Sequence, residues 1–347
     1  MHSNRIRPNL SQIAALLDVS VATVSNALSG KGRVSADLAD KIRATAFGLG
    51  YVPGTAGRAL RTGRSYVLGL VLPDIANPLF PQIAQAIEHA AAKAGYGVLI
   101  ADSRGDVAMQ TEVIARLLER GVDGIVILPR RGTRISDIGS PIAVIDSRST
   151  PGNTVSADHW QGGQLIAEHL VSLGHGKILI IGNNPASNVQ NDRVGGMKSR
   201  IPAKVHSETI WIERLEAAAH VGCPLGLDRK FEEGFTAFAT VSDLHALRAL
   251  TELLACGIAV PEQASVTGFD DLIWSSAFRP ALTTVHMDMP AIAGVAIDAL
   301  ASAIEVNAAS DIPPRPGPVR ALPDACESVP MTLVVRQTSA PPRLTAA

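Results

Sequence analysis

Cysteine is scarce: Cys223, Cys256 and Cys326 are the three in 347 residues. They are scattered and show no CxxC spacing, which excludes a dithiol redox pair or a cysteine-built zinc site and suits a reducing cytoplasm. Long apolar runs are also lacking. Stretches such as Val67–Leu72 and Ile125–Leu128 are far too short to cross a bilayer. The opening MHSNRIRPNLSQ is polar, without the apolar core of a signal segment. No phosphate loop, nucleophile elbow or HExxH occurs, and Gly162-Gly163 lacks the spacing of a dinucleotide fingerprint. The nine histidines form no ligand cluster; His169 and His175 read as a packing residue and a turn residue. These absences argue against an enzyme and imply no metal and no cofactor.

What is present is a large apolar fraction and a divided charge. Hydrophobic residues make up 46%, enough for a sizeable core, and the length suits two or three domains. The net charge of −1 conceals a split. Residues 1–64 carry nine Lys and Arg against Asp18, Asp37 and Asp40, a net +6, and the remainder is acidic at −7. A basic head on an acidic body suits contact with a polyanion.

The head has a helical rhythm. Leu10, Ile13, Ala14, Leu16 and Leu17 recur at helical spacing, with Asn9 and Gln12 forming a capping box. After the break at Asp18-Val19, Ser20 caps a second helix, Val21 to Leu28, with Val24, Ala27 and Leu28 turned inward. Ser29-Gly30-Lys31-Gly32 ends it. Ser35 caps a third helix reaching about Leu49, with Gly50 placed for the C-cap. Three short helices with a tight turn between the first two describe a helix-turn-helix. Such a unit lays its second helix in the major groove, with Val21, Ala22, Thr23, Ser25 and Asn26 facing the bases. Asn can bond adenine, and Val or Ala can touch a thymine methyl. A three-helix protein-interaction module has the same pattern.

From Ser65 onward strands alternate with helices. Strands are expected at Val67–Leu72, Gly97–Ala101, Gly124–Leu128 and Ile142–Ile145, then at Lys177–Ile181, Ile210-Trp211, Phe235–Thr240 and Ala264–Gly268. Helices are expected at Leu79–Ala94, Val107–Glu119, Gln161–Leu173, weakly at Asp192–Ser199, at Asp243–Cys256 and at Pro290–Glu305. This alternation gives an α/β fold of doubly wound parallel sheets, whose ligands bind beyond the carboxyl ends of the strands. Residues near those ends are the ligand candidates: Asn77, Phe80, Asp102, Ser103, Asp146, Arg148, Asp158, Trp160, Asp270, Asp271 and Trp274. Each has a plainer reading. Asp146 and Asp271 could cap loops, and Trp274 could pack. Ile312 to Pro330 reads as an extended Pro-rich surface loop, and the tail after Thr338 as mobile.

Several segments resemble the lactose-repressor (LacI/GalR) family of regulators. They are NLSQIAALLDVSVATVSNALSG (9–30), RVS (33–35), LGYVP (49–53), RALRTGRS (58–65) and GLVLPDIANPLF (69–80), then EHL (168–170), LGH (173–175), VTGFDD (266–271), LTTV (282–285) and LVVRQTSAPP (333–342). The resemblance covers nearly the whole chain in order. It implies a sequence-specific DNA-binding regulator controlled by a sugar-like effector, working in the cytoplasm as a homodimer on a near-palindromic operator, with no membrane partner. It implies a helix-turn-helix domain over 1–52, a hinge over 53–64 and a two-lobed, periplasmic-binding-protein-like body over 65–340. Asn9, Ser20, Val21, Ala22, Thr23, Ser25, Asn26, Ser29 and Arg33 fall where the family meets DNA. Gly57 and Leu60 fall in a hinge helix, with Leu60 as the minor-groove wedge. Asn26 stands where the family often has a basic residue. Arg193 falls where the family keeps an effector-binding arginine, although a surface ion pair is the plainer alternative. Ser242 stands where Asn is common. Residues 199–235 match poorly and carry no assignment. A solute-binding protein without a DNA-reading role is the competing function, with a sugar-metabolising enzyme behind it.

Overall fold

The computed structural model describes residues 8–29, 34–51, 63–135, 138–309, 317–323 and 325–342. The chain divides into two compact units, Met1–Ser65 and Tyr66–Ala347.

The first unit has three helices: α1 (Leu10–Leu17), α2 (Val21–Ser29) and α3 (Ala36–Gly48). The capping box forms as expected. Gln12 N donates to Asn9 Oδ1 at 2.9 Å, and Asn9 N donates to Gln12 Oε1 at 3.0 Å. Asp18 ends α1 in the left-handed region at φ 51°, a conformation that Asp tolerates better than most residues. The chain then turns by 107°, within the helix-turn-helix range. Ser20 Oγ accepts from Thr23 N at 3.0 Å and starts α2. Ser35 departs from expectation: its side chain makes no capping bond, and Asp37 supplies the negative charge of the first turn. Gly50, at φ 67°, closes α3 while Tyr51 N returns to Ala46 O at 2.8 Å. Ile13, Val24 and Ile42 are fully buried at the centre, with Ala14, Ala27, Ala39 and Ala46 around them.

The second unit holds two lobes. The first comprises β1 (Val67–Leu72), α4 (Leu79–Lys93), β2 (Gly97–Asp102), α5 (Val107–Glu119), β3 (Gly124–Ile127) and β4 (Pro141–Val144). The chain enters the second lobe through β5 (Ser156–Ala157) and α6 (His159–Ser172). There follow β6 (Lys177–Gly182), α7 (Asn188–Arg200), β7 (His206–Trp211), α8 (Ile212–Ala218), α9 (Leu227–Glu232), β8 (Ala237–Thr240), α10 (Asp243–Ala255) and β9 (Ser265–Thr267). After β10 (Thr284–His286), α11 (Met289–Ala309) returns to pack on α4, β3 and β4. The end of the chain adds β11 (Gly317–Pro318), β12 (Ser328–Val329) and β13 (Thr332–Val334).

The first sheet has the order β11-β4-β3-β1-β2 and the second β7-β6-β8-β9, every pairing parallel. The strands β1, β3, β4, β6 and β8 are near-continuous apolar runs, as burial on both faces requires, whereas the edge strands β2 and β7 are partly exposed. Both sheets are doubly wound, as the sequence implied. One apolar cluster runs through both lobes, from Leu68 and Leu70 to Ile178 and Ile180.

Four expectations change. Phe235 lies outside its strand: its N–H closes the α9 turn on Lys230 O at 3.0 Å, and its ring is buried. The weak helix is longer than expected, Asn188–Arg200, because polar residues and two glycines had thinned its signal. The Pro-rich stretch is not loop throughout: Gly317–Pro318 extends the first sheet and Ser328–Val329 pairs with β5. Finally, α11 is long and apolar enough to span a membrane by composition, with mean hydropathy 1.6. Ile292, Ala296, Ile297, Leu300 and Ile304 bury one side of it in the lobe core, so it is a core helix of this fold.

The tail, expected to be mobile after Thr338, is instead docked through Ala340. Val266 N donates to Thr338 O at 2.8 Å, and His175 Nε2 lies 3.1 Å from Ala340 O. His175 Nδ1 lies 2.8 Å from Thr236 Oγ1. A neutral ring satisfies both contacts, donating at Nε2 and accepting at Nδ1. Burial pulls the His175 pKa from 6.5 down to about 4. Between these values the unfolded chain binds the extra proton, so this group adds stability as pH rises from about 4 to 6.5. Denaturant unfolding at pH 4.5 and 7 should therefore show a smaller pH gain in His175→Gln than in the parent. Equal gains would remove His175 as the acid-sensitive clamp.

Candidate functional site

In the first unit, α2 has one buried and one open face. Val24 is fully buried and Ala27 nearly so, which fixes the helix rotation. Val21, Ala22 and Asn26 are then exposed, and Thr23 and Ser25 half-buried. Positions 21, 22, 25 and 26 share one side of a 3.6-residue helix. Asn9 and Ser20 are exposed residues whose side-chain oxygens cap α1 and α2. Arg33, Gly57, Leu60 and the side chain of Ser29 lie outside the described residues, as does most of the 53–64 hinge.

In the second unit, a cavity of about 770 Å3 lies between the lobes at the carboxyl ends of their strands. The first lobe contributes Asn77 after β1, Arg130 after β3 and Asp146 after β4. The second contributes Asn183 and Asn184 after β6, Ser242 after β8 and Asp270 after β9. Phe80, Ile83, Leu128, Ile145, Met287 and Ile292 form apolar wall.

Arg193, on α7, lines the cavity and is only 3% exposed. Its Nη1 donates to Val241 O at 2.6 Å and stands 2.8 Å from Asp270 Oδ1. Its Nε donates to His159 Nδ1 at 3.3 Å, and its guanidinium lies 4.0 Å over the Phe269 ring. The contact to Asp270 is a close ion pair whose angle falls short of a hydrogen bond, leaving Oδ1 an unsatisfied acceptor. Burial pushes the Asp270 carboxyl up to about 7, against the pull of Arg193. Asp270 also has φ 103°, a strained backbone for a side-chain-bearing residue. Asp243 holds this turn in place. It is fully buried and accepts from Leu272 N, Ser275 Oγ and Thr284 Oγ1. Burial raises its pKa too. Asp146 accepts from Thr150 Oγ1, and burial lifts its carboxyl to about 6.

The cleft thus gathers Asn77, Phe80, Asp146, Arg193, Ser242 and Asp270 from the expected set. The others stand elsewhere. Asp102 caps the neighbouring loop, accepting from Ile75 N and Arg104 N. Ser103 is buried against Leu72 O and Pro73 O. Arg148 is exposed beyond the cavity wall. Asp158 caps α6 through Gln161 N at 3.0 Å. Trp160 covers Gly195 and Gly196 of α7 instead of facing the cleft. Asp271 pairs with Arg336 at 2.6 Å, and Trp274 packs on Phe278 with ring centroids 5.0 Å apart. Ser242 itself caps α10, bonding His245 at both N and Nδ1.

Sequence reasoning missed several wall residues. Gln190 accepts from Asn183 N and Asn184 N at 2.8 and 2.9 Å and so shapes the loop after β6. Glu213 and Glu216 come from α8, within the segment left unassigned. His159 and His245 face the same space, and burial keeps both rings neutral, His245 at about 4. The arrangement can bind a polyhydroxylated molecule: amides and carboxylates accept hydroxyl protons, Arg193 donates, and the apolar wall covers a ring face.

Comparison with known proteins agrees with both units. Residues 167–339 match the periplasmic binding protein-like domain and residues 68–219 the periplasmic binding protein domain. Residues 9–54 match the bacterial regulatory proteins of the lacI family. An HTH-type transcriptional regulator in the aml 5′ region of Streptomyces limosus is 32% identical, covering 84% of this chain and 87% of its own. The ribose operon repressor of Lactococcus lactis is 26% identical, covering 80% and 85%. In fold, the chain matches the lac repressor dimer bound to operator and the anti-inducer ONPF, with TM-score 0.78 and 24% identity over 96% of this chain and 100% of that one. The chain belongs to the lacI family of bacterial regulatory proteins.

Proposed function

We propose that this chain is a transcriptional repressor that reads operator DNA with α2 and is controlled by a carbohydrate or carbohydrate derivative bound between its lobes. One observation carries the DNA reading: the rotation of α2 buries Val24 and Ala27 and presents Val21, Ala22, Ser25 and Asn26 together. A protein-interaction module would not need small, methyl-bearing and amide groups on that face, whereas a base reader does. Thr23, Asn9, Ser20, Ser29 and Arg33 would contact phosphate or flanking bases, and the +6 charge of residues 1–64 would supply the attraction. Gly57 and Leu60 belong to the hinge in this reading.

The effector reading rests on the cleft chemistry around Arg193 and Asp270, and on a relative that is a ribose operon repressor. The body is a binding domain, not a catalytic one, and the protein works in the cytoplasm beside its DNA as a homodimer. Effector must favour one lobe arrangement over another, since equal affinity for both would shift nothing.

The test is selection of genomic fragments by the purified full-length protein, followed by affinity measurement against salt. A near-palindromic site is expected, with affinity falling roughly a thousandfold or more between 50 and 200 mM salt if six or more phosphates are neutralised. No enriched site, with or without pooled saccharides, would overturn the repressor reading. On the selected site Leu60→Ala should weaken operator binding and leave effector binding intact. Unchanged operator affinity would remove the wedge role.

A further inference from the structure

A second cavity of about 410 Å3 opens beside the first and shares Arg130, Asp146 and Ser187 with it. Arg130, Arg131 and Arg134 all line it. Among the described residues, none of these three guanidinium groups has a hydrogen bond or ion-pair contact. Their loop is nevertheless pinned from below. Gln110, fully buried on α5, donates to Leu128 O at 3.1 Å and accepts from Arg130 N at 2.9 Å and from Thr133 Oγ1.

The opposite wall belongs to the second lobe. Ser187 and Asn188 bring the first turn of α7, which holds no acidic side chain. Asn188 Nδ2 donates to Thr150 Oγ1 at 3.1 Å, and Ser147 donates to Asp192, so hydrogen bonds across the lobes hold this wall in place. The start of a helix carries partial positive charge. Half-buried Arg130, exposed Arg131 and Arg134, and a helix start therefore line one pocket. Among the described residues its one carboxyl is Asp146, already engaged by Thr150.

Like charges gathered on a fixed loop repel one another unless an anion joins them. Guanidinium groups hold phosphate or carboxylate oxygens by paired donors, the geometry that suits them best. We propose that the effector carries an anionic group, phosphate or carboxylate, held by Arg130, Arg131 and Arg134, while its hydroxyl-bearing part lies against Arg193 and Asp270. Asp270, whose buried Oδ1 lacks a hydrogen-bond partner, then lies at the uncharged end. This rests on the reading of the cleft as the effector site.

The experiment titrates the full-length protein at constant ionic strength with neutral mono- and disaccharides, their phosphates, their uronic acids, and inorganic phosphate alone. Calorimetry and the melting temperature are the readouts, and Arg131→Ala/Arg134→Ala is the comparison. A phosphorylated or acidic sugar should bind at least about tenfold more tightly than its neutral counterpart. The double variant should lose that preference while its affinity for the neutral sugar stays the same. Inorganic phosphate should raise the melting temperature of the parent and not of the variant. The phosphate and uronate arms identify which anion the site takes. Neutral sugars binding as tightly as charged ones, or parent and variant responding alike to every anion, would overturn the proposal. A neutral sugar that releases operator equally from both proteins would overturn it and leave the effector reading intact. If no saccharide of any class binds or changes operator affinity, the effector reading itself falls.

Discussion

Arg193→Ala should remove the effector response while operator binding persists. Arg193 joins three parts of the second lobe: the end of β8 through Val241 O, the strained turn through Asp270, and α6 through His159. It also lines the cleft, so its loss would remove a candidate ligand donor and the scaffold of its neighbours together. The operator-reading unit has its own core around Ile13, Val24 and Ile42, which the substitution does not touch. Removing one member of a buried ion pair destabilises by about 3–5 kcal/mol, because the other charge stays behind. The penalty should be largest above pH 7. Asp270 already holds its proton up to about that pH, and without Arg193 the pKa rises further, so the defect fades as pH falls and the carboxyl becomes neutral. Arg193→Met/Asp270→Asn separates the two effects. It should recover most of the melting temperature, since an uncharged pair needs no counter-ion, and still fail to respond to effector. Full effector affinity in either variant would refute the central role of Arg193.

The head was legible almost residue by residue because its determinants are local. The capping box at Asn9 and Gln12, the left-handed Asp18 and the Ser20 cap all act within four positions along the chain. The body was legible as far as its alternation of strands and helices. Strand ends led to Asn77, Asp146 and Asp270, which line the cavity. The same rule failed at Asp102 and Asp158, where a carboxylate beyond a strand caps the next backbone turn instead of facing ligand. It failed at Trp160 because its ring turns onto α7. Gln190, Glu213 and Glu216 were out of reach: they enter the cleft only through the packing of α7 and α8, which no local pattern encodes. The arginine pocket shows the same limit. Nothing in the sequence singled out Arg130, Arg131 and Arg134, and it is the buried Gln110 beneath them that ties their loop down in the fold.

Gly196→Ala should produce the largest loss of stability among the substitutions considered for the body outside the ion pair. The α6 and α7 helices cross in close contact, and glycines make the approach possible. A Cβ at Gly196 would lie 2.0 Å from Trp160 O, and one at Gly163 would lie 2.2 Å from Arg193 O. Both obstacles are backbone atoms, so no side-chain rotation relieves them and the helices must part. Alanine favours the helix itself by about 1 kcal/mol over glycine. Overpacking of this kind opposes it with roughly 3 kcal/mol or more, so the clash wins. For a unit of this size each kcal/mol lowers the melting temperature by roughly 2–4 °C, and a fall of about 4–8 °C is expected. Gly195→Ala is the control on the same turn. Its Cβ would meet the Trp160 ring at 2.5 Å, but that ring is 46% exposed and free to swing outward. The neighbouring substitution should therefore melt within about 1–2 °C of the parent. Because α7 carries Arg193, parting the helices also displaces the cleft donor, and Gly196→Ala should bind effector more weakly even where it is still folded. A variant that melts like the parent would mean the two helices are not in backbone contact, and Gly163 would lose its physical reason for being there.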